Sequence, residues 1–246
     1  MIRILLSGTG RMGQMVGQLA GEDLRFQVVG GVHRENLSIL QELGPVADLV
    51  IDFSHREMLP PLAAYLRRTG TPLLCGTTGL LEEHVSLLRQ LGERIPVLYG
   101  ANFSIGVAVL RRLAAQAAAA LGEDFDIEIV ETHHNQKADA PSGTARLLLE
   151  AVDPDHAHQP VYGREGLCGP RKKKEIGVHA LRGGTVAGTH TLSFLGPEEE
   201  LELTHRAESR RVFAAGALRA APLLLEQAPG YYTLDQLLFE GGSHGR

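Results

Sequence analysis

Between Glu131 and Ala145 the chain reads ETHHNQKADAPSGTA, which packs two adjacent histidines, a lysine, a carboxylate and a Pro-Ser-Gly-Thr turn into one short stretch. Imidazoles change charge near neutral pH, and an ammonium is a cation with three donors. His133, His134 and Lys137 on one short loop therefore point to a small anionic ligand and to proton transfer. Pro141-Ser142-Gly143-Thr144 then opens the apolar run Ala145-Arg146-Leu147-Leu148-Leu149, the pattern of a helix start. A helix N-terminus has unpaired N–H groups and a partial positive charge, so Ser142, Gly143 and Thr144 suit a carboxylate or phosphate. The plain alternative is a polar loop before a capped helix. A metal site has no support: adjacent histidines lack the usual ligand spacing, and no Cys or acidic cluster completes a set.

A second set of residues points to a dinucleotide. Gly8-Thr9-Gly10-Arg11-Met12-Gly13 lies between the apolar run Ile2–Ser7 and a helical pattern over Gln14–Ala20. This is Gly-x-Gly-x-x-Gly in the strand–turn–helix setting that the fingerprint requires. Gly8 makes the tight turn, Gly10 lets the backbone approach a pyrophosphate, and Gly13 allows close helix–strand packing. Phe26–Val32 reads as the next strand. At its end a NAD-preferring unit usually carries an acid for the ribose 2′-OH, but here stand His33 and Arg34. Arginine there accommodates a 2′-phosphate, so NADPH is favoured over NADH.

The elements that must position these groups alternate. Strands are expected at 47–53, 72–75 and 96–99, and helices at 59–68 and 81–91. Strand–helix alternation predicts a doubly wound parallel sheet, whose ligands bind beyond the C-terminal strand ends. Polar or Gly-rich loops occupy those ends at 52–54, 76–79 and 100–104. Cys75 reads as a small buried hydrophobe rather than a nucleophile. A long helix follows over 105–121, and then a strand, 125–130, ahead of the histidines. The segment up to Lys174 reads as irregular, with Arg171–Lys174 as a solvated basic run. Strand-like stretches at 176–182, 186–195 and 200–206, joined by Gly turns, suggest an antiparallel meander in a mixed or antiparallel sheet of about four strands. His179, His190 and His205 on these strands read as packing or interface groups, and Arg182 as a weaker candidate for a substrate carboxylate. A final amphipathic helix covers 210–226, and 241–246 reads as a frayed tail.

Bulk properties narrow the classes. The net charge of −5 implies no broad attraction to nucleic acid or membranes, and no basic helix-turn-helix pattern is present. Two cysteines are too few for a disulfide framework. No signal peptide and no bilayer-spanning segment are expected, which makes the cytoplasm the default.

The stretch Glu131–Ala145 also resembles the signature of the 4-hydroxy-tetrahydrodipicolinate (dihydrodipicolinate) reductase family, Glu-x-His-His-x-x-Lys-x-Asp-Ala-Pro-Ser-Gly-Thr-Ala, at every fixed position. DFS at 52–54, GTTG at 76–79, ANFS at 101–104 and HRAESRRVFAAGALRAA from His205 resemble the same family, so the likeness covers nearly the whole chain. It implies a Rossmann-like nucleotide domain over 1–104 and 211–246. It also implies an α+β domain over 105–210, whose sheet pairs with others into a homotetramer. The implied reaction is NAD(P)H-dependent reduction of a small dicarboxylate, 4-hydroxy-tetrahydrodipicolinate, with loss of water. The resemblance makes His133 and Lys137 catalytic and has His134 hold the substrate beside Ser142, Gly143 and Thr144. It lays Gly76, Thr77, Thr78, Gly100, Ala101, Asn102 and Phe103 along the nicotinamide half of the cofactor. Asp139 would orient Lys137 or its loop. The family often has an acid–Arg pair where this chain has His33-Arg34, and it commonly uses either cofactor. Two other readings remain: a related Rossmann oxidoreductase for another small acid, which would not need the full signature, and a dinucleotide sensor, which would need neither His133 nor Lys137.

Overall fold

A computed structural model describes residues 1–240; the 241–246 segment, read above as a frayed tail, lies outside the described residues. The chain forms two compact units, one of Met1–Ser104 with the chain from Arg211 onward and one of Ile105–Arg210. In order, the elements are β1 (Ile2–Ser7), α1 (Arg11–Gly21), β2 (Phe26–Val32), β3 (Leu49–Asp52), α2 (Leu59–Thr69), β4 (Leu73–Cys75), α3 (Glu82–Gly92) and β5 (Pro96–Tyr99). Then come α4 (Ile105–Leu121), β6 (Asp126–His133), α5 (Gly143–Val152), β7 (Gln159–Val161), β8 (Glu175–Arg182), β9 (Gly188–Leu195) and β10 (Glu200–Ala207). α6 (Arg211–Leu225) and β11 (Gly230–Tyr232) follow and belong to the first unit, with a short helical turn at Gln236–Glu240 after them.

The first unit is the doubly wound sheet that the alternation predicts. Its six strands are all parallel, in the order β11-β5-β4-β3-β1-β2. Central strands are buried on both faces, which is why they read as continuous apolar runs. Leu5, Val50, Leu73 and Val97 pack with Leu62 and Leu66 of α2 and Leu88 and Leu91 of α3. On the other face α6 packs against β3, β4 and β5, and against α1. The strand order reverses between β1 and β3, and a doubly wound sheet opens its ligand crevice at such a point. There the Gly8 turn and the loop after Asp52 meet so closely that a Cβ on Gly8 would lie 2.5 Å from the Phe53 carbonyl oxygen.

The second unit is one mixed sheet of five strands, ordered β10-β9-β6-β8-β7, where sequence suggests about four. β6 runs parallel to β8 and antiparallel to β9, so it separates the two strands that a meander would pair. β7 is a three-residue parallel edge strand inside the segment read as irregular. Ile127, Ile129, Ile176, Val178, Leu192 and Phe194 form the inner face and pack with Leu110 and Ala114 of α4 and Ala145 and Leu148 of α5. One expectation needs correcting. Ile105–Asp124, 20 residues, is long and apolar enough to cross a membrane by length and composition. Its alanine-rich sequence produces that apolarity, while one face of the helix covers the sheet.

Arg171 is not a solvated side chain. Its Nη1 donates to Asp126 Oδ1 at 2.7 Å and its Nε to Glu128 Oε1 at 3.3 Å, and it bonds the Glu175 carbonyl oxygen. Lys172, Lys173 and Lys174 are exposed, as a basic loop predicts.

Candidate active site

The central side chain of the second unit is Glu131, which is 0% exposed although it is charged. β6 alternates, and the face that carries Ile127 and Ile129 goes on to carry Glu131 and His133. His133 therefore ends the strand, rather than lying in the loop after it. A buried carboxylate is tolerable only if it is fully bonded. Arg182 of β8, register partner of His133, donates from Nη1 to Glu131 Oε2 at 2.8 Å and from Nη2 to Oε1 at 2.9 Å. The Ser142 N–H donates to Oε1 at 3.0 Å, and His133 Nδ1 lies 2.5 Å from Oε2. Burial alone would raise the Glu131 pKa, but the bonds from Arg182, His133 and Ser142 together hold it below the usual carboxylate value. Arg182 is thus committed to the protein's own carboxylate, not to a substrate's. It also donates to the Asp139 carbonyl oxygen at 2.6 Å.

The 183–187 loop wraps the end of β6: Gly183 N–H donates to the His133 carbonyl oxygen, His134 N–H to that of Val186, and Asn135 N–H to that of Gly184. Ser142 is the N-cap of α5, its Oγ accepting from the Ala145 N–H at 3.1 Å. The same hydroxyl lies 3.0 Å from His190 Nε2, and the His190 ring stands edge-on to His133 with centroids 5.1 Å apart. Lys137, largely buried, pairs with Asp139 Oδ1 at 2.7 Å; that bond holds the Asp139 pKa below its usual value. His134 Nε2 lies 3.5 Å from Arg210 Nη2.

In the first unit, the loops at the C-terminal strand ends are tied together by Asp52, which is buried. Ser54 Oγ donates to Asp52 Oδ1 at 2.5 Å and Thr77 Oγ1 to Oδ2 at 2.7 Å, and Thr77 Oγ1 accepts from the Ser54 N–H at 2.9 Å. Phe53 and Phe103 stack edge-to-face at 5.8 Å, and a Cβ on Gly76 would collide with the Phe53 ring. Gly100 N–H donates to the Cys75 carbonyl oxygen at 3.1 Å, and Asn102 Oδ1 accepts from the Ser104 N–H at 2.7 Å. The Cys75 thiol is fully buried and burial, with the Asp52 charge, pushes its pKa up, consistent with an inert side chain. Around the fingerprint, a Cβ on Gly13 would collide with the Gly8 carbonyl, whereas one on Gly10 would meet nothing within 4 Å. The turn is thus closed against the protein at Gly8 and Gly13 and open at Gly10, next to Thr9, Arg11 and Met12 at the start of α1. His33 N–H is held by Asn36 Oδ1 at 2.7 Å, and the exposed Arg34 pairs with Glu57.

Residues 2–103 match the family described as dihydrodipicolinate reductase, N-terminus, and residues 106–238 the one described as dihydrodipicolinate reductase, C-terminus. The chain belongs to the dihydrodipicolinate reductase family. A relative from Caldanaerobacter subterraneus subsp. tengcongensis, named 4-hydroxy-tetrahydrodipicolinate reductase, is 43% identical over 98% of this chain and 100% of its own. Another of that name, from Akkermansia muciniphila, is 44% identical over 97% and 98%. Among solved structures, the dipicolinate-bound dihydrodipicolinate reductase from Paenisporosarcina sp. TG-14 superposes with a TM-score of 0.78 at 20% identity, covering 97% of this chain and 99% of that one, which shows the fold. As a Rossmann-like member of a reductase family, the protein is an oxidoreductase that uses a nicotinamide cofactor.

Within this reductase fold, the structure brings His133, Ser142, Glu131, Arg182 and His190 into direct contact, with Lys137 on the loop between β6 and α5. Sequence reading gives Glu131 no role and makes His190 a packing or interface group; the structure buries both and bonds them into this cluster. Burial, and after it the neighbouring His133, lowers the His190 pKa to about 4. A folded-state pKa below the unfolded value means that the unfolded chain binds the extra proton first. This contribution to stability is therefore full above about pH 6.5 and is lost as pH falls toward about 4, a loss of at most about 3 kcal/mol. His133, also lowered first by burial, acts in the same direction. Thermal unfolding midpoints should drop across that window, and His190→Gln should flatten the drop; an unchanged slope in that variant would refute the assignment.

Proposed function

We propose that the protein reduces 4-hydroxy-tetrahydrodipicolinate to tetrahydrodipicolinate with NAD(P)H, in lysine and diaminopimelate biosynthesis. The balance is one hydride and one proton in, and one water and NAD(P)⁺ out. The observation that carries this reading is the joint placement of His133, Lys137 and the start of α5 around the buried Glu131, in a chain of this family. The residues fit the cofactor: the Gly8–Gly13 turn, open at Gly10, would take the pyrophosphate with Thr9, Arg11 and Met12, while His33 and Arg34 would face the ribose. Gly76, Thr77, Thr78, Gly100, Ala101, Asn102 and Phe103 would line the nicotinamide half. When bound, the nicotinamide supplies the hydride.

The protein's own residues do the rest. Ser142 spends its N–H on Glu131 and its hydroxyl on the Ala145 N–H and His190, so it shapes the carboxylate site and leaves recognition to Gly143 and Thr144. His134 would hold the substrate alongside. Lys137 Nζ, kept in place by Asp139, would deliver the proton that completes reduction, and His133 Nε2 would exchange a proton with substrate. A dianion suits a pocket with a lysine and a helix N-terminus. NADPH is the favoured cofactor, because Arg34 can meet a 2′-phosphate once it releases Glu57. Arg34→Ala should raise KM for NADPH about tenfold, one charge-assisted contact's worth, and leave KM for NADH nearly unchanged. Equal effects on both would argue against this role. We further place the protein in the cytoplasm as a homotetramer, built on the sheet face away from α4 and α5, where half-exposed Val130 and Thr191 lie. The reaction is tested by NMR of product formed with 4-deuterated NADPH: deuterium at ring C4 is expected, and unlabelled product contradicts the reading.

A further inference from the structure

Glu131 makes four bonds, and their arrangement constrains His133. Each carboxylate oxygen takes two donors: Oε1 takes the Ser142 N–H at 3.0 Å and Arg182 Nη2 at 2.9 Å, and Oε2 takes Arg182 Nη1 at 2.8 Å and His133 Nδ1 at 2.5 Å. A carboxylate cannot donate, so the proton in the fourth bond sits on His133 Nδ1. The other ring nitrogen is kept clear of side-chain bulk: a Cβ at position 188 would lie 3.0 Å from His133 Nε2, and that position is glycine. His190 stands edge-on to His133 and is itself held through Nε2 by Ser142 Oγ.

We propose that Glu131 is a positioning residue that holds His133 as its Nδ1–H tautomer, leaving Nε2 as the one ring atom able to exchange a proton with substrate. The proposal rests on the catalytic reading of His133 given above and goes beyond it in naming the group that sets its orientation and basicity. The charged and titratable groups facing the ring are Glu131 on its own strand, Arg182 on β8, His190 on β9 with His205 of β10 behind it, and Lys137, paired to Asp139, on the following loop. Burial lowers the His133 pKa, Glu131 opposes that, and Lys137 and Arg182 add to it. Among the described residues, Glu131 is thus the anion in contact with the ring that favours the imidazolium formed when Nε2 takes a proton. A buried acid holding an imidazole serves nucleophilic triads in the same way.

Glu131→Gln tests this. An amide offers one acceptor oxygen, which the Ser142 N–H and Arg182 claim together. The NH₂ then faces His133 Nδ1 and drives the proton to Nε2, the wrong tautomer. kcat should fall roughly 100-fold with KM for the nucleotide unmoved, and the limb of the pH profile that belongs to His133 should move to lower pH. The Glu131→Gln/His133→Gln double variant should be no slower than His133→Gln alone. Multiplicative losses would show that Glu131 acts by another route and overturn the proposal. If His133→Gln is inactive while Glu131→Gln keeps the wild-type rate and pH profile, the proposal fails and the catalytic reading stands. If His133→Gln turns over like wild type, the catalytic reading itself fails, and the proposal with it. Should Glu131→Gln not fold, ¹⁵N NMR of the wild-type imidazoles at alkaline pH decides: Nδ1 protonated and Nε2 bare supports the proposal, and the reverse overturns it.

Discussion

Lys137→Ala should lower turnover by roughly 100- to 10,000-fold while nucleotide binding stays intact. Lys137 follows β6 by four residues, and its ammonium is fixed by Asp139 Oδ1 at 2.7 Å. Asp139 is itself half exposed, so the pair is an orienting device rather than a stabilising one, and its loss should barely change the thermal midpoint. On the proposed reading, what disappears is the group that delivers the proton to the substrate. Lys137→Arg should also be nearly inactive, because a guanidinium keeps its charge but does not release its proton at working pH. Fluorescence titration with NADPH should give the wild-type Kd for both variants. Loss of NADPH binding in Lys137→Ala would count against the placement of Lys137 on the substrate side.

The second large effect is expected at Gly13. A Cβ there runs into the Gly8 carbonyl, and Gly8 cannot retreat. Its N–H donates to the Val32 carbonyl oxygen at 2.8 Å, its φ of +89° suits glycine, and its other side is closed by Phe53 and Ser54. Gly13→Ala must therefore rebuild the turn. The overpacking should cost about 1–3 kcal/mol of stability in the first unit, and the altered turn should weaken NADPH binding roughly 100-fold, about 3 kcal/mol. Gly10→Ala separates the two effects. Its Cβ meets nothing in the protein, so stability should hold while dinucleotide affinity drops, provided the pyrophosphate approaches there. Unchanged affinity in both variants, measured by titration calorimetry, would remove the fingerprint from the cofactor site.

How much of this was legible in the sequence depends on the range of the interactions. The first unit's strands and helices carry their own signals, namely apolar runs between Gly-rich turns and helical periods, and these map onto β1 to β5 and α1 to α3 with ends that move by a few residues. β11 left no trace, because three residues beginning Gly230-Tyr231 are too short to show a period. The Gly183-Gly184 turn looked like a hairpin, yet it leads over the end of β6. Which strand lies between β8 and β9 is decided by long-range pairing, which has no local signature. The strand read over 125–130 runs on to His133, and Glu131, though charged, continues the inward face. That charged residue was the available signal: an acid in register with buried isoleucines demands partners. Arg182 and the Ser142 N–H supply them from 51 and 11 positions away. The bonding of Arg171 has no local signature for the same reason, since its anionic partners stand on β6.

The reading to test first is that the chain reduces 4-hydroxy-tetrahydrodipicolinate, the product of an upstream synthase that condenses pyruvate with aspartate semialdehyde, with a nicotinamide, using His133 and Lys137. The most direct measurement follows nicotinamide absorbance while the upstream synthase makes substrate in situ from pyruvate and aspartate semialdehyde. NADPH and NADH run in parallel, with the wild type beside His133→Gln and Lys137→Ala. Synthase-dependent oxidation by the wild type is expected, faster with NADPH, with near-background rates in both variants. If both cofactors bind and neither is consumed, the catalytic reading of the two residues is contradicted and a dinucleotide sensor becomes the better description.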